Sequence, residues 1–176
     1  MQLVGYGPSH RRKLLISRNA TITAAEQHPT PGEALQQALD THHHRFSPLY
    51  QGYLSDHAPI GALALHGLGR HEPEVLGWYE HYCGKLDAID AAPADYLEKL
   101  AESERALTDL GRDALLAREL PLLISGWTRN AFHPLIRLAY GYHFGIDGEI
   151  AAGLAYLKWC GPDETIGRAQ HLRPDA

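Results

Sequence analysis

The sequence predicts an all-α chain of six or seven helices, packed as a bundle or an irregular array, behind a short extended N-terminal arm. Three observations predict it. From residue 30 onward, apolar residues recur at helical spacing rather than in alternation. Helix punctuation is regular, with Pro near several starts and Gly after several ends. The connections left between the periodic stretches are short.

Residues 1–29 lack helical periodicity; Leu14-Leu15-Ile16 and Thr21-Ile22-Thr23 read as short strands or as extended arm. Residues 30–161 form the helical domain, and 162–176 a polar tail. The first helix opens at Thr30-Pro31-Gly32-Glu33, a capping-box pattern with Pro at the first helical position. Phe46 to Ser55 is a loop. Asp56 is placed to cap a second helix over about 57–68, ended by Gly69. A third starts at Pro73, and 84–93 is a connector. A fourth, about 94–105, sets Tyr96, Leu97 and Leu100 against charged residues. Thr108 or Asp109 opens a fifth, which Pro121 kinks or divides. Asn130 is expected to cap a helix over about 131–144, and Asp147 the last, about 148–160.

Composition narrows the function classes. A net charge of -5 with 16 Lys and Arg argues against nucleic acid as partner. No apolar run reaches the ~18 residues of a membrane span, and no secretory signal is visible at the start. Cys83 and Cys160 are the only thiols and form no metal or redox pair, so both read as small buried hydrophobes. The expected location is cytoplasmic.

The chemistry-bearing residues are histidines, 12 of them in 176 residues. Asp56-His57-Ala58-Pro59-Ile60 and Phe132-His133-Pro134-Leu135-Ile136-Arg137 echo each other, each setting a His at a helix start. There the macrodipole disfavours imidazolium, so the ring keeps the lone pair that a metal or a proton transfer requires. His57 and His133 are therefore candidate metal ligands; the alternative is that each caps its own helix or bonds inside the core. His66 and His143 follow nine and ten residues later, ~14 Å along each helix, and cannot share that metal. In His42-His43-His44 the rings fan out, with His44 the candidate ligand and solvation at a helix end the alternative. Lys158, in an apolar stretch, either snorkels or acts as a carbamate-forming ligand. Asp56 is a candidate acid–base group. Arg137, one turn after His133, either binds an anionic substrate group or pairs with a carboxylate such as Asp56. Trp127, Phe132 and Tyr140 are candidate aromatic surface for a flat ligand, against plain core. No nucleophile elbow, phosphate loop or zinc-protease motif is present.

Leu54-Ser55-Asp56-His57-Ala58-Pro59-Ile60, with Leu68-Gly69-Arg70 and Trp78-Tyr79-Glu80 after it, resembles the early motif of questin oxidase-like proteins. Residues 131–141, Ala-Phe-His-Pro-Leu-Ile-Arg-Leu-Ala-Tyr-Gly, resemble their second motif almost residue for residue, and 149–157 resembles the helix after it. The resemblance implies an all-helical, oxygen-using oxidoreductase that opens rings of anthraquinone-type aromatic polyketides. It implies non-haem iron (Fe) held mainly by His, with His57 and His133 at the ligand-like positions, and a nicotinamide reductant such as NADPH. Asp56 stands where the family has Asn, and the match covers only about the N-terminal half of a full-length member. Two His do not complete an iron site. The expected partners are an aromatic small molecule and either a second copy in a homo-oligomer or local groups (His44, His143, Asp56, Lys158) that finish the coordination. The alternatives are a non-catalytic helical module binding a ligand or partner, and an acid–base polyketide-tailoring enzyme.

Overall fold

A computed structural model describes residues 30–163. The expected N-terminal arm, residues 1–29, and the polar tail after residue 163 lie outside the described residues. The fold is all-α: α1 (Glu33–Asp40), α2 (Ala58–Gly67), α3 (Glu72–Cys83), α4 (Ala94–Leu110), α5 (Arg112–Leu123), α6 (His133–Phe144) and α7 (Asp147–Cys160). No described helix is long and apolar enough to cross a membrane.

Helix α7 is the centre. Every residue from Gly148 to Leu157 is buried. An apolar helix surrounded on all sides is a core element rather than a surface one. On one side Ala151, Ala152, Ala155 and Tyr156 meet Tyr96 and Leu100 of α4. On another, Ile150, Leu154 and Leu157 meet Leu115, Leu116 and Leu138. A third apolar group joins α1, α2 and α3 through Leu35, Leu39, Ala62, Leu63, Val75 and Tyr79. Helices α6 and α7 approach backbone to backbone because glycines face the contact. A Cβ on Gly153 would stand 2.6 Å from the Leu138 nitrogen, and one on Gly141 would stand 2.8 Å from the Ile150 nitrogen.

Several helix starts differ from expectation. Gly32, not Thr30, precedes α1, and no side chain caps it. Helix α4 runs on to Leu110, so Thr108 and Asp109 lie within it. Gly111, with φ 75°, breaks the chain there and α5 follows at once. Pro121 falls in the last turn of α5, where it cannot divide the helix. Asp147 begins α7, but its carboxylate takes the Arg112 guanidinium instead of capping. The 46–55 loop carries a small hairpin, β1 (Leu49–Tyr50) with β2 (Leu54–Ser55), turned through Gln51 and Gly52 at positive φ.

Helices α2 and α6 lie side by side with their N-termini at the same end. His57 meets His133 at that end, and His66 meets Phe144 at the other, with ring centroids 4.6 and 5.8 Å apart. This parallel pairing brings the two echoed motifs together.

Candidate metal centre

His57 immediately precedes α2, and His133 is the first residue of α6. Their Nε2 atoms stand 2.8 Å apart with the rings edge to face. The other nitrogen of each ring is committed to a backbone carbonyl. His57 Nδ1 donates to the Ser55 oxygen at 2.7 Å, and His133 Nδ1 donates to the Asn130 oxygen. A carbonyl only accepts, so both protons sit on Nδ1 and both Nε2 lone pairs point at one spot. Two lone pairs at this distance repel unless a proton or a cation lies between them.

The two residues that supply these carbonyls are tied to each other through their side chains. Ser55 Oγ hydrogen-bonds the Tyr156 hydroxyl at 2.9 Å, and Asn130 Nδ2 donates to that hydroxyl at 3.1 Å. The residues that orient the two rings thus converge on one phenol of the central helix. Burial raises the Tyr156 pKa, so the phenol stays protonated and bridges as a neutral group.

Local backbone strain aims His133. Asn130, Ala131 and Phe132 take φ values of 46°, 50° and 68°, three left-handed residues in succession. Asn tolerates this region; Ala and Phe are disfavoured there. The expected Asn130 cap is therefore absent. Its side chain reaches Tyr156 and Cys160, while its carbonyl turns to the His133 ring.

Asp56 and Arg137 lie in a buried network rather than in an open site. They are 3% and 2% exposed. Asp56 Oδ1 accepts the Ala58 amide at 2.8 Å and Oδ2 meets His42 Nε2 at 2.5 Å. Arg137 binds Glu149 through two bonds of 2.6 and 2.9 Å, with Asp56 3.9 Å from its Nη1. Burial opposes ionisation of Asp56, but the His42 ring, Arg137 and the Ala58 amide outweigh it and hold its pKa below the ordinary value. Burial likewise opposes the Arg137 charge, and Glu149 more than restores it. Neither group is accessible to a substrate. The expectation of direct catalysis gives way to positioning: Asp56 fixes the start of α2 one residue before His57, and Arg137 anchors α6 one turn after His133.

The remaining candidates separate. His44 is exposed, while His42 and His43 are buried. Helix α1 ends at Asp40 and 42–44 form a 3-10 turn, so the fan expected of a continuing α-helix does not apply. His42 Nδ1 bonds the Tyr79 hydroxyl at 2.7 Å, which leaves that ring no free nitrogen. Lys158 Nζ lies 3.2 Å from Glu102 and 3.3 Å from Glu119. Two carboxylates already match that ammonium, and a carbamate would add a third anion beside them. None of His44, Asp56 or Lys158 is placed to finish coordination at the pair. Trp127 and Phe132 pack edge to face at 5.7 Å beside His133, both about two-fifths exposed. Tyr140 lies two turns further along α6, in an apolar groove of about 520 Å³ with Leu63, Leu68 and Phe144. It does not share a surface with the other two.

Two residues near the pair carry no sequence signal. The Tyr82 hydroxyl faces the His57 backbone amide and bonds the Tyr50 hydroxyl at 3.1 Å. Burial, then Tyr50, raises the Tyr82 pKa. A separate cluster of His43, His44 and Glu104 has the donors and spacing to hold a metal ion. Comparison of the chain with protein-family models, curated proteins and solved structures finds no match.

Proposed function

We propose that the chain is a metal-dependent oxidoreductase of the questin oxidase kind, acting on an aromatic polyketide, with His57 and His133 as two ligands of a non-haem iron. One observation carries the reading: two Nε2 lone pairs converge at 2.8 Å while both Nδ1 protons are fixed on carbonyls. Two nitrogens about 2.0–2.1 Å from one metal and 90° apart lie about 2.8–3.0 Å from each other. Outer partners that set the tautomer are the usual complement of a metal-binding imidazole. The resemblance over residues 54–60 and 131–141 supports iron and oxygen chemistry.

When bound, iron supplies Lewis-acid stabilisation of charge on dioxygen and on a phenolate. The chain's own part is orientation. Ser55, Asn130 and Tyr156 hold the rings in register, and the positive ends of α2 and α6 favour an anionic oxygen beside them. Trp127 and Phe132 offer the edge-to-face surface on which a flat ring packs. His57 is exposed, so a second copy of the chain has access to complete the coordination in a homo-oligomer. NADPH, as reductant, follows from the resemblance.

The 2.8 Å contact also fits a second reading, one proton shared between two imidazoles in an acid–base enzyme without metal. Metal analysis separates the two. The protein is purified anaerobically and reconstituted with Fe(II), and its metal content compared with that of His57→Ala and His133→Ala. The wild-type chain is expected to hold more iron than either variant, by the one ion that the pair binds. A wild-type protein that retains no transition metal overturns the iron reading and leaves the shared proton. Oxygen uptake on a hydroxyanthraquinone, reductant present, then tests the oxygenase: a metal-loaded protein that consumes no oxygen overturns that part alone.

A further inference from the structure

On the opposite face of the 42–44 turn, His43 Nε2 and His44 Nε2 both meet Glu104 Oε1, at 2.9 and 3.1 Å. The three ligand atoms lie within 4.8 Å of one another. They join a turn near the start of the fold to the middle of α4, sixty residues on. They border a cavity of about 320 Å³ that Asp40 and Asp147 also line and that, among the described residues, no Lys or Arg lines.

Hydrogen bonding accounts for Glu104 Oε1, whose lone pairs can accept both N–H groups. It leaves His43 Nδ1 buried with no partner among the described residues, which is costly in an interior. A cation on the two Nε2 atoms moves the His43 proton to Nδ1. The present N···O separations approach the edge of a coordination sphere with bonds of about 2.0–2.2 Å.

We propose that His43, His44 and Glu104 form a second metal site, for a divalent cation of the zinc class, separate from the His57–His133 pair. Two imidazoles and a carboxylate are donors that suit zinc and cobalt rather than calcium or magnesium. His44 is exposed and Glu104 one-third exposed, so the site opens to solvent and its fourth ligand is water. A loaded site clips α4 to the turn that carries His42, the residue holding Asp56 beside His57.

The test uses the full chain carrying His57→Ala and His133→Ala, so that the pair contributes nothing. Zn²⁺ binding is followed by calorimetry, and Co²⁺ binding by its visible spectrum. One equivalent is expected to bind and to raise the thermal midpoint. Adding His44→Ala or Glu104→Gln weakens binding at least tenfold and removes the thermal shift. Both positions are solvent-accessible, so the fold tolerates the changes, and helical circular dichroism verifies it. The proposal is overturned if no equivalent binds. It is also overturned if affinity is the same in His44→Ala and Glu104→Gln, which would assign the metal to other surface imidazoles such as His71 or His81. Loss of metal from the wild-type pair leaves this result unaffected.

Discussion

His42 and the His57–His133 pair sit on either side of Asp56 and spend their ring nitrogens differently. His42 is fully buried and uses both nitrogens, one on Tyr79 and one on Asp56. His57 and His133 are nearer the surface, and each uses one nitrogen on a carbonyl. Their other nitrogens face each other. Burial is therefore a poor guide to which imidazole keeps a nitrogen for a ligand. The spare lone pair decides, and it is spare because the backbone has taken the proton on the opposite side. The buried side of the comparison supplies rigidity, through Asp56, Arg137 and Glu149, and the exposed side leaves two ring nitrogens facing each other.

The largest effect that would break this division comes from the buried side. Replacing Arg137 by Leu leaves Glu149 and Asp56 as two buried carboxylates without their cation. Removing one partner of a buried pair costs about 3–5 kcal/mol. Urea unfolding of Arg137→Leu should show a loss of that size. The paired change Arg137→Leu with Glu149→Leu should recover part of it. A loss below about 1 kcal/mol would mean that the network is solvated and that the contrast with the pair is illusory.

Acid should then weaken the buried side first. Burial, opposed by the Glu104 hydrogen bond, brings the His43 pKa down to about 4 from 6.5. The unfolded chain takes up that proton as pH falls below about 6.5, and the native state does so only near 4. A group whose pKa is depressed on folding gives stability that is present above its unfolded pKa and lost as pH falls through the folded one. The loss from His43 alone is about 3 kcal/mol across that window. Asp56, depressed below the ordinary carboxylate range, adds a further loss at lower pH. Chemical denaturation of the chelator-treated protein between pH 7 and 4 checks this. Stability that stays flat over the range would refute the buried state of His43.

How much of this was legible in the sequence follows from where each signal lives. Helical periodicity is a local property, so the described helices and the echo of residues 57 and 133 could be read from residue spacing, whereas the parallel packing of α2 and α6 could not. The aim of a side chain is not local. Asn130 has the chemistry of a helix cap, but three left-handed residues divert it. That conformation is imposed by Tyr156 and Cys160 on α7, more than twenty residues away. His44 looked better placed than His42 only while the first helix was taken to continue through the turn. The Ser55–Tyr156–Asn130 bridge joins three remote segments through neutral hydroxyls and an amide, residue types too common to stand out.

That bridge sharpens the comparison from the exposed side. Tyr156→Phe keeps the ring in the core but removes the hydroxyl between Ser55 and Asn130. Loss of an outer partner costs about 10–100-fold in metal affinity. The unmet hydrogen bonds cost about 1–3 kcal/mol of stability. Metal titration of Tyr156→Phe against wild type is the measurement, with His66→Ala as a control at the far end of α2. An unchanged affinity would show that the two carbonyls orient the rings without help from α7.

The smallest effect separates stability from aim. Ala131 sits at φ 50°, ψ 43°, where an L side chain is strained and glycine is not. Ala131→Gly relieves the strain in the native state but loosens the unfolded chain, and the two terms partly offset. The net change should be a gain of about 0.5–1 kcal/mol, read as a small rise in the denaturation midpoint. If the strain does nothing but cost stability, metal affinity at the pair should stay as it was. If the left-handed run is what directs the Asn130 carbonyl to His133, affinity should fall even as the protein becomes more stable. Opposite movement of the two readouts in one variant is the outcome expected here. It arises only where backbone strain is being used to point a ligand.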